Sequence, residues 1–153
     1  MATTSIQFTI PISPKPSNKR RAFVIGGHAR VVQDRGVVEH QAQIAACAAQ
    51  HRPQVPLEGP LAVEVVCVLP RPASLCGVSK RTGQPLHGPG RRWHATRPDA
   101  DNLAKSVLDG LRAFWRDDAQ VAELTIRKHV AALDELPCYH VAILILGEGA
   151  DNG

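Results

Sequence analysis

The chain has 153 residues, 44% of them hydrophobic, with 18 Lys and Arg against 14 Asp and Glu and a formal net charge of +4. This length suits a single domain with a real core, and the basic excess favours a polyanionic partner. No apolar run approaches the ~20 residues of a membrane span, and no basic-then-apolar signal segment opens the chain, so no membrane association and a reducing, cytoplasmic setting are expected. Cys47, Cys67, Cys76 and Cys138 show no C-x-x-C spacing, which argues against a disulfide framework or a zinc site.

Ser5 to Ile12 alternates through Ile6, Phe8, Ile10 and Ile12, the pattern of a half-buried strand. Pro11, Pro14 and Pro16 break it. Ala22 to Ile25 reads as a second strand, turned at Gly26-Gly27 into a returning arm over Ala29 to Val32. Gln33 to Arg52 reads as a helix with Val37, Val38, Gln41, Ile44, Ala45 and Ala48 on one face, stopped by Pro53 and Pro56. Leu61 to Leu69, Val-rich and interrupted only by Glu64, reads as a central strand.

Residues 70–97 form a long irregular piece with Pro70, Pro72, Pro85, Pro89 and four glycines. A loop this long is usually functional or disordered, and mobility without a ligand is expected of it. From Arg71 to Arg97 it holds Arg71, Lys80, Arg81, Arg91, Arg92 and Arg97 and no Asp or Glu. A solvated loop and a phosphate-binding segment are both compatible with that pattern. Asp101 to Trp115 is the clearest helix, with Leu103, Val107, Leu108, Leu111, Phe114 and Trp115 at helical spacing. Gln120 to Val130 and Tyr139 to Leu146 read as closing strands, and 147–153 as a frayed tail. The order implies a single α/β (α+β) domain with a mixed sheet and two main helices packed on it.

The chemistry concentrates at Arg97-Pro98-Asp99-Ala100-Asp101-Asn102-Leu103-Ala104-Lys105 and at Asp117-Asp118. In an extended segment, Asp99 and Asp101 would point the same way. With Asp118, they make a set of hard oxygen ligands suited to Mg²⁺, which keeps waters and takes a few carboxylates. Helix capping is the competing account of Asp101, and an i,i+4 ladder that of Lys105 and Asp109. Asp117 and Asp118 follow a helix C-terminus, where acids oppose the dipole, although acids are common in turns. Two adjacent side chains diverge, and Asp118 is the one expected at the metal. No P-loop, dinucleotide fingerprint or Ser/His/Asp signature is present, so no nucleotide cofactor is expected.

At these residues the chain resembles the RusA family of Holliday-junction resolvases. The resemblance rests on Asp99-Ala100-Asp101-Asn102-Leu103-Ala104-Lys105 as D-x-D-N-x-x-K, on Asp109-Gly110-Leu111 as D-x-L, and on Asp117-Asp118-Ala119-Gln120-Val121 as D-D-x-x-V. Pro16-Ser17-Asn18-Lys19 fits a further element. The resemblance implies a small homodimeric α/β fold and Mg²⁺-dependent resolution of four-way junction DNA by paired nicks, in recombination and repair, in proteins often encoded by prophages. It implies catalytic roles for Asp99, Asp101, Asp118 and Lys105, the three aspartates as metal ligands, with Asp109 and Asp117 as auxiliary candidates. Lys19, Arg20, Arg21, Arg91, Arg92 and Arg97 are expected to contact DNA. Segment 71–97 departs from compact members in its length and its Gly and Pro content. A non-catalytic branched-DNA-binding module, and a metal nuclease acting on flaps or structured RNA, are the alternatives.

Overall fold

A computed structural model describes residues 4–17 and 20–147. Strands β1 (Ser5–Ile10), β2 (Arg20–Ile25) and β3 (His28–Gln33) precede helix α1 (Arg35–Ala48) and strand β4 (Leu61–Leu69). A short strand β5 (Arg92–Trp93), helix α2 (Ala100–Gly110), and strands β6 (Val121–Val130) and β7 (Cys138–Ile145) follow. Five strands form one mixed sheet in the order β1-β7-β4-β6-β5, and β2 pairs only with β3. β4 and β6 are parallel, and every other pairing is antiparallel. A parallel pair needs a long crossover, and the whole stretch 70–120, including α2, supplies it.

Central position explains the apolar run of β4. Leu61, Val63, Val65, Cys67 and Leu69 turn towards α1 and α2 and are buried with Ile44, Leu103, Val107, Leu111, Phe114, Tyr139, Val141 and Ile143. Glu64 points to the other face, where its carboxylate accepts a hydrogen bond from Arg127 of β6. Among the described residues that face carries no helix. It holds only a small second cluster of Val68, Ala131 and Cys138. Burial pushes the Cys67 thiol up to about 12, which leaves it an inert apolar side chain. All four cysteines are free.

Several boundaries differ from the sequence expectation. α1 starts at Arg35 because Asp34 caps it, its carboxylate accepting from Gly36 N at 2.9 Å. It yields to a 3-10 turn at Ala49–His51. α2 ends at Gly110 rather than Trp115. A Cβ at Gly110 would lie 2.5 Å from Ile44 Cγ2, so glycine permits the close approach of the two helices. Beyond it the chain narrows to a 3-10 turn, Arg112–Phe114, and Trp115 is extended. That change of course directs Phe114 and Trp115 into the core.

Segment 70–97, expected to be irregular throughout, has local structure. It carries a 3-10 turn at Ala73–Leu75, a small hairpin closed by Ser79 N to Gln84 O and Leu86 N to Gly77 O, and β5. Arg71 organises it. The guanidinium donates to the carbonyls of Leu75, Gly88, Gly90 and Ala131. Five N–H groups in a rigid fork make arginine the side chain for such a node.

Candidate active site

The first turns of α2 are fixed from three sides. The chain entering from β1 lies across them, with Ser17 N donating to Asn102 O at 3.2 Å and Ser106 Oγ donating to Lys15 O at 2.6 Å. Tyr139 of β7 holds that entering segment. Its hydroxyl accepts from Lys15 N at 2.9 Å and shares a hydrogen bond with His40 Nε2 of α1 at 2.8 Å. Burial, then the nearby Lys15 charge, lowers the His40 pKa, which favours the neutral imidazole. From the third side, the Lys128 ammonium of β6 donates to the carbonyls of Thr96 and Pro98, both at 2.7 Å. Pro98 follows a cis peptide bond. The residue after it is Asp99.

Asp99 is extended (φ −71°, ψ 145°) at the N-cap position of α2, but its side chain makes no capping hydrogen bond. It lines an open cleft of about 480 Å³ with Pro14, Pro16, Arg97 and Pro98. Asp101 lies in the first helical turn and Lys105 one turn on, both exposed. The ion pairs among the described residues all lie elsewhere. The helix begins at Ala100, so the strand-type alignment expected of Asp99 and Asp101 does not apply. Both instead stand at the positive end of α2, one at the N-cap and one in the first turn.

Asp118 is not brought to this place. α2 runs back along β6 and spans about 16 Å at 1.5 Å per residue. Asp118 follows its far end, beside Val121 at the start of β6, whereas Lys128 at the other end of that strand holds the Asp99 loop. Among the described residues no group of three His, Cys, Asp or Glu side chains could hold a metal ion. Within one chain, Asp118 thus joins no such group with Asp99 and Asp101 among the described residues. Asp118 accepts from Trp115 Nε1 at 2.9 Å and is exposed.

The remaining sequence candidates have identifiable settings. Asp109 accepts from Gln41 Nε2 of α1 at 3.1 Å and pairs with Arg112 at 3.3 Å, not with Lys105. Asp117 caps the 3-10 turn Asp118–Gln120 by accepting from Ala119 N, while Gln120 reaches back to Asp117 N. The Gln120 amide also donates to Leu57 O and Gly59 O, which ties the D-D-x-x-V element to the start of β4. Arg91 grips Glu135, with Nε 2.9 Å and 3.0 Å from its two oxygens. This pairing holds the Glu135 carboxyl below the usual range and offsets much of the local positive charge. Arg92 is exposed on β5, and Arg97 lines the Asp99 cleft. Arg20 and Arg21 open β2, and Lys19 lies outside the described residues.

Sequence reasoning counted Arg71 among the loop cations without its role in gathering carbonyls, and missed Lys128 and the Tyr139–His40 pair. Lys128 left a signal as the one cation on the alternating stripe Leu124, Ile126, Lys128, Val130. No helix among the described residues is long and apolar enough to cross a membrane.

The uncharacterized protein YqaN of Bacillus subtilis (strain 168) is 29% identical over 124 residues, which cover 80% of this chain and 86% of that protein. The sequence profile described as endodeoxyribonuclease RusA matches residues 11–138, from the segment before the β2–β3 hairpin through Asp99, Asp101, Lys105 and Asp118 to the start of β7. With that match over most of its length, and with the motif aspartates and lysine set at the open end of α2, the chain belongs to the endodeoxyribonuclease RusA family.

Proposed function

We propose that the protein is a Mg²⁺-dependent endonuclease that resolves four-way DNA junctions by paired symmetric nicks, acting in recombination and repair. The observation that carries this reading is the uncapped, exposed Asp99, in a cleft that also holds Arg97 and at the helix start that carries Asp101 and Lys105, within a chain of the RusA family. An acid that caps its helix is explained by folding. Asp99 takes the N-cap position and leaves its carboxylate unused.

Nucleases of this family generally depend on a divalent metal. Asp99 and Asp101 supply hard, unpaired oxygens of the kind Mg²⁺ prefers, and the ion would keep waters in its remaining positions. When bound, it would supply an acidified water and neutralise phosphate charge. The chain's own residues do the rest. Arg97 orients the phosphodiester in the cleft. Lys105, one turn from Asp101, places a fixed positive charge where the transition state gains negative charge. The electrostatic footprint, Arg92 and Arg97 with the basic residues of the β2–β3 arm, makes binding steeply salt-dependent.

A homodimer is part of the proposal. Asp118 follows the far end of α2 from Asp99 and Asp101, and a two-fold axis would bring it to the partner's cleft. Apolar exposure supports such a contact. Phe23, Val24, Ile25, Val31 and Val32 of the β2–β3 hairpin are exposed on an arm that pairs with no strand of the main sheet. Patches of this kind mark association surfaces.

Nicking of a labelled, mobile four-way junction in Mg²⁺, against linear duplex and with Asp101→Asn alongside, tests the reading. Paired nicks in the wild type, lost in the variant with binding preserved, are expected. Tight junction binding without nicks would make the chain a binding module, and selective cutting of flaps or structured RNA would keep the site and change the substrate.

A further inference from the structure

Trp93 is 72% exposed, the most exposed aromatic among the described residues, and it is not loose. Its indole stacks on His129 of the neighbouring strand, with ring centroids 4.7 Å apart and planes 23° from parallel. The two residues are directly paired in the β5–β6 register, so the backbone ladder sets their relative position. The next residue, His94, bonds back to β6 through its N–H to Lys128 O. One indole face is thus occupied by a fixed ring and the opposite face is open to solvent.

Folding gives no reason for that exposure. An indole buries a large apolar surface when it enters a core, as Trp115 does at 3% exposure. Trp93 instead stands at the edge of the sheet, on the face away from α2, because its partner His129 alternates along β6 with Lys128. Arg91 and Arg127 are the cations whose charge reaches His129 on this face. A flat apolar ring, fixed from one side and set among cations, matches the chemistry of a nucleotide whose base has left its stack. A fully paired duplex has no free base face within reach of such a ring.

We infer that the Trp93–His129 stack is a platform for one unpaired DNA base held at the sheet edge, apart from the cleft of Asp99. It selects branched or locally opened DNA by offering a stacking surface that duplex cannot use. Burial, followed by the Arg91 and Arg127 charges, lowers the His129 pKa, so the ring beneath Trp93 is neutral near pH 7. Trp93 is then a specificity determinant, acting on the base while Asp99 and Asp101 act on the phosphate. The inference rests on the DNA-cutting reading for its biological sense, but its test does not require cutting.

The chain has two tryptophans, Trp93 exposed and Trp115 buried, so intrinsic fluorescence isolates the platform. Full-length protein is titrated, without divalent metal, with a four-way junction, a single-stranded oligo(dT) and a linear duplex of matched length, while anisotropy of labelled DNA follows binding. Junction and oligo(dT) are expected to quench the emission and duplex to leave it unchanged. Trp93→Phe should abolish the quenching and bind the junction within about threefold of wild type, because a phenyl ring still stacks. Trp93→Leu should weaken junction binding about tenfold and duplex binding little, in line with the loss of one base–aromatic stack. Quenching that persists in Trp93→Phe, equal quenching by duplex, or junction binding with no spectral change would each overturn the platform. Quenching without nicking in Mg²⁺ would leave the platform standing and remove only the nuclease.

Discussion

Tyr139 has no part in any reaction proposed for this chain, yet the geometry of the cleft depends on it. The hydroxyl satisfies Lys15 N and His40 Nε2 in a site with no exposure at Tyr139. Tyr139→Phe leaves both partners unpaired while keeping the ring, so the cost is that of buried unsatisfied groups, about 1–3 kcal/mol. Chemical denaturation of the wild type and the variant would read it, and a loss below a few tenths of a kcal/mol would sink the assignment. His40 adds a pH dependence of definite sign. Its folded pKa lies below the ordinary 6.5, so the unfolded chain takes up the proton first. Stability is complete above pH 6.5, falls as pH drops towards the folded value, and levels off below it. His94 and His129 shift in the same direction and add to the slope. Thermal melts between pH 7.5 and 5 should show the decline, and His40→Gln should reduce it, leaving the share of His94 and His129.

At the scale of elements, the outcome turns on whether a position obeys local rules. The β2–β3 turn was legible because Gly26 and Gly27 take φ of 56° and 79°, as a two-residue hairpin turn requires. β4 was legible as a central strand because one face lies under two helices and the other is partly covered. Its partnership with β6, whose residues pair with it across 60 or 61 positions of chain, left no trace in either segment, since parallel pairing has no local signature. The end of α2 was misread because Leu111, Phe114 and Trp115 continue the apolar pattern after the backbone has left the helix. Their burial is real but comes from a 3-10 turn. The candidate site was legible in its residue types at 99, 101 and 105, and not in its assembly, because spacing along the chain does not record that α2 carries Asp118 away from them. In segment 70–97, Gly and Pro content suggested disorder, whereas one guanidinium gathers four carbonyls. A lysine at that position cannot reproduce the fork. Arg71→Lys is therefore expected to raise the rate of limited proteolysis within 72–91 severalfold while leaving the melting of the sheet nearly unchanged. Equal protection in both proteins would mean that the segment is held by other contacts.

At the scale of the whole molecule, the separation of Asp118 from Asp99 and Asp101 leads to a test that no single protomer can imitate. If each cleft is completed by Asp118 of a second copy, Asp101→Asn and Asp118→Asn each disable both sites of their own homodimer. The mixed dimer behaves differently. One of its clefts combines both substitutions and is dead, while the other combines the intact Asp101 of one protomer with the intact Asp118 of its partner. That site works. Mixing the two inactive variants under conditions that allow subunit exchange should restore cutting of a four-way junction. The product should carry single nicks rather than the paired nicks of resolution, because only one strand meets an intact cleft. Were all the ligands supplied by one chain, every protomer in the mixture would keep its defect and the mixture would stay inactive. Denaturing gels of a junction labelled on each strand in turn distinguish these outcomes, and sedimentation of the mixture confirms that dimers exchanged. Recovery of nicks would place the metal site across the two-fold axis, so that cutting waits on dimer formation. Its absence, with exchange demonstrated, would confine the chemistry to Asp99, Asp101 and Lys105 at the end of α2 and leave Asp118 as the acceptor for the Trp115 indole.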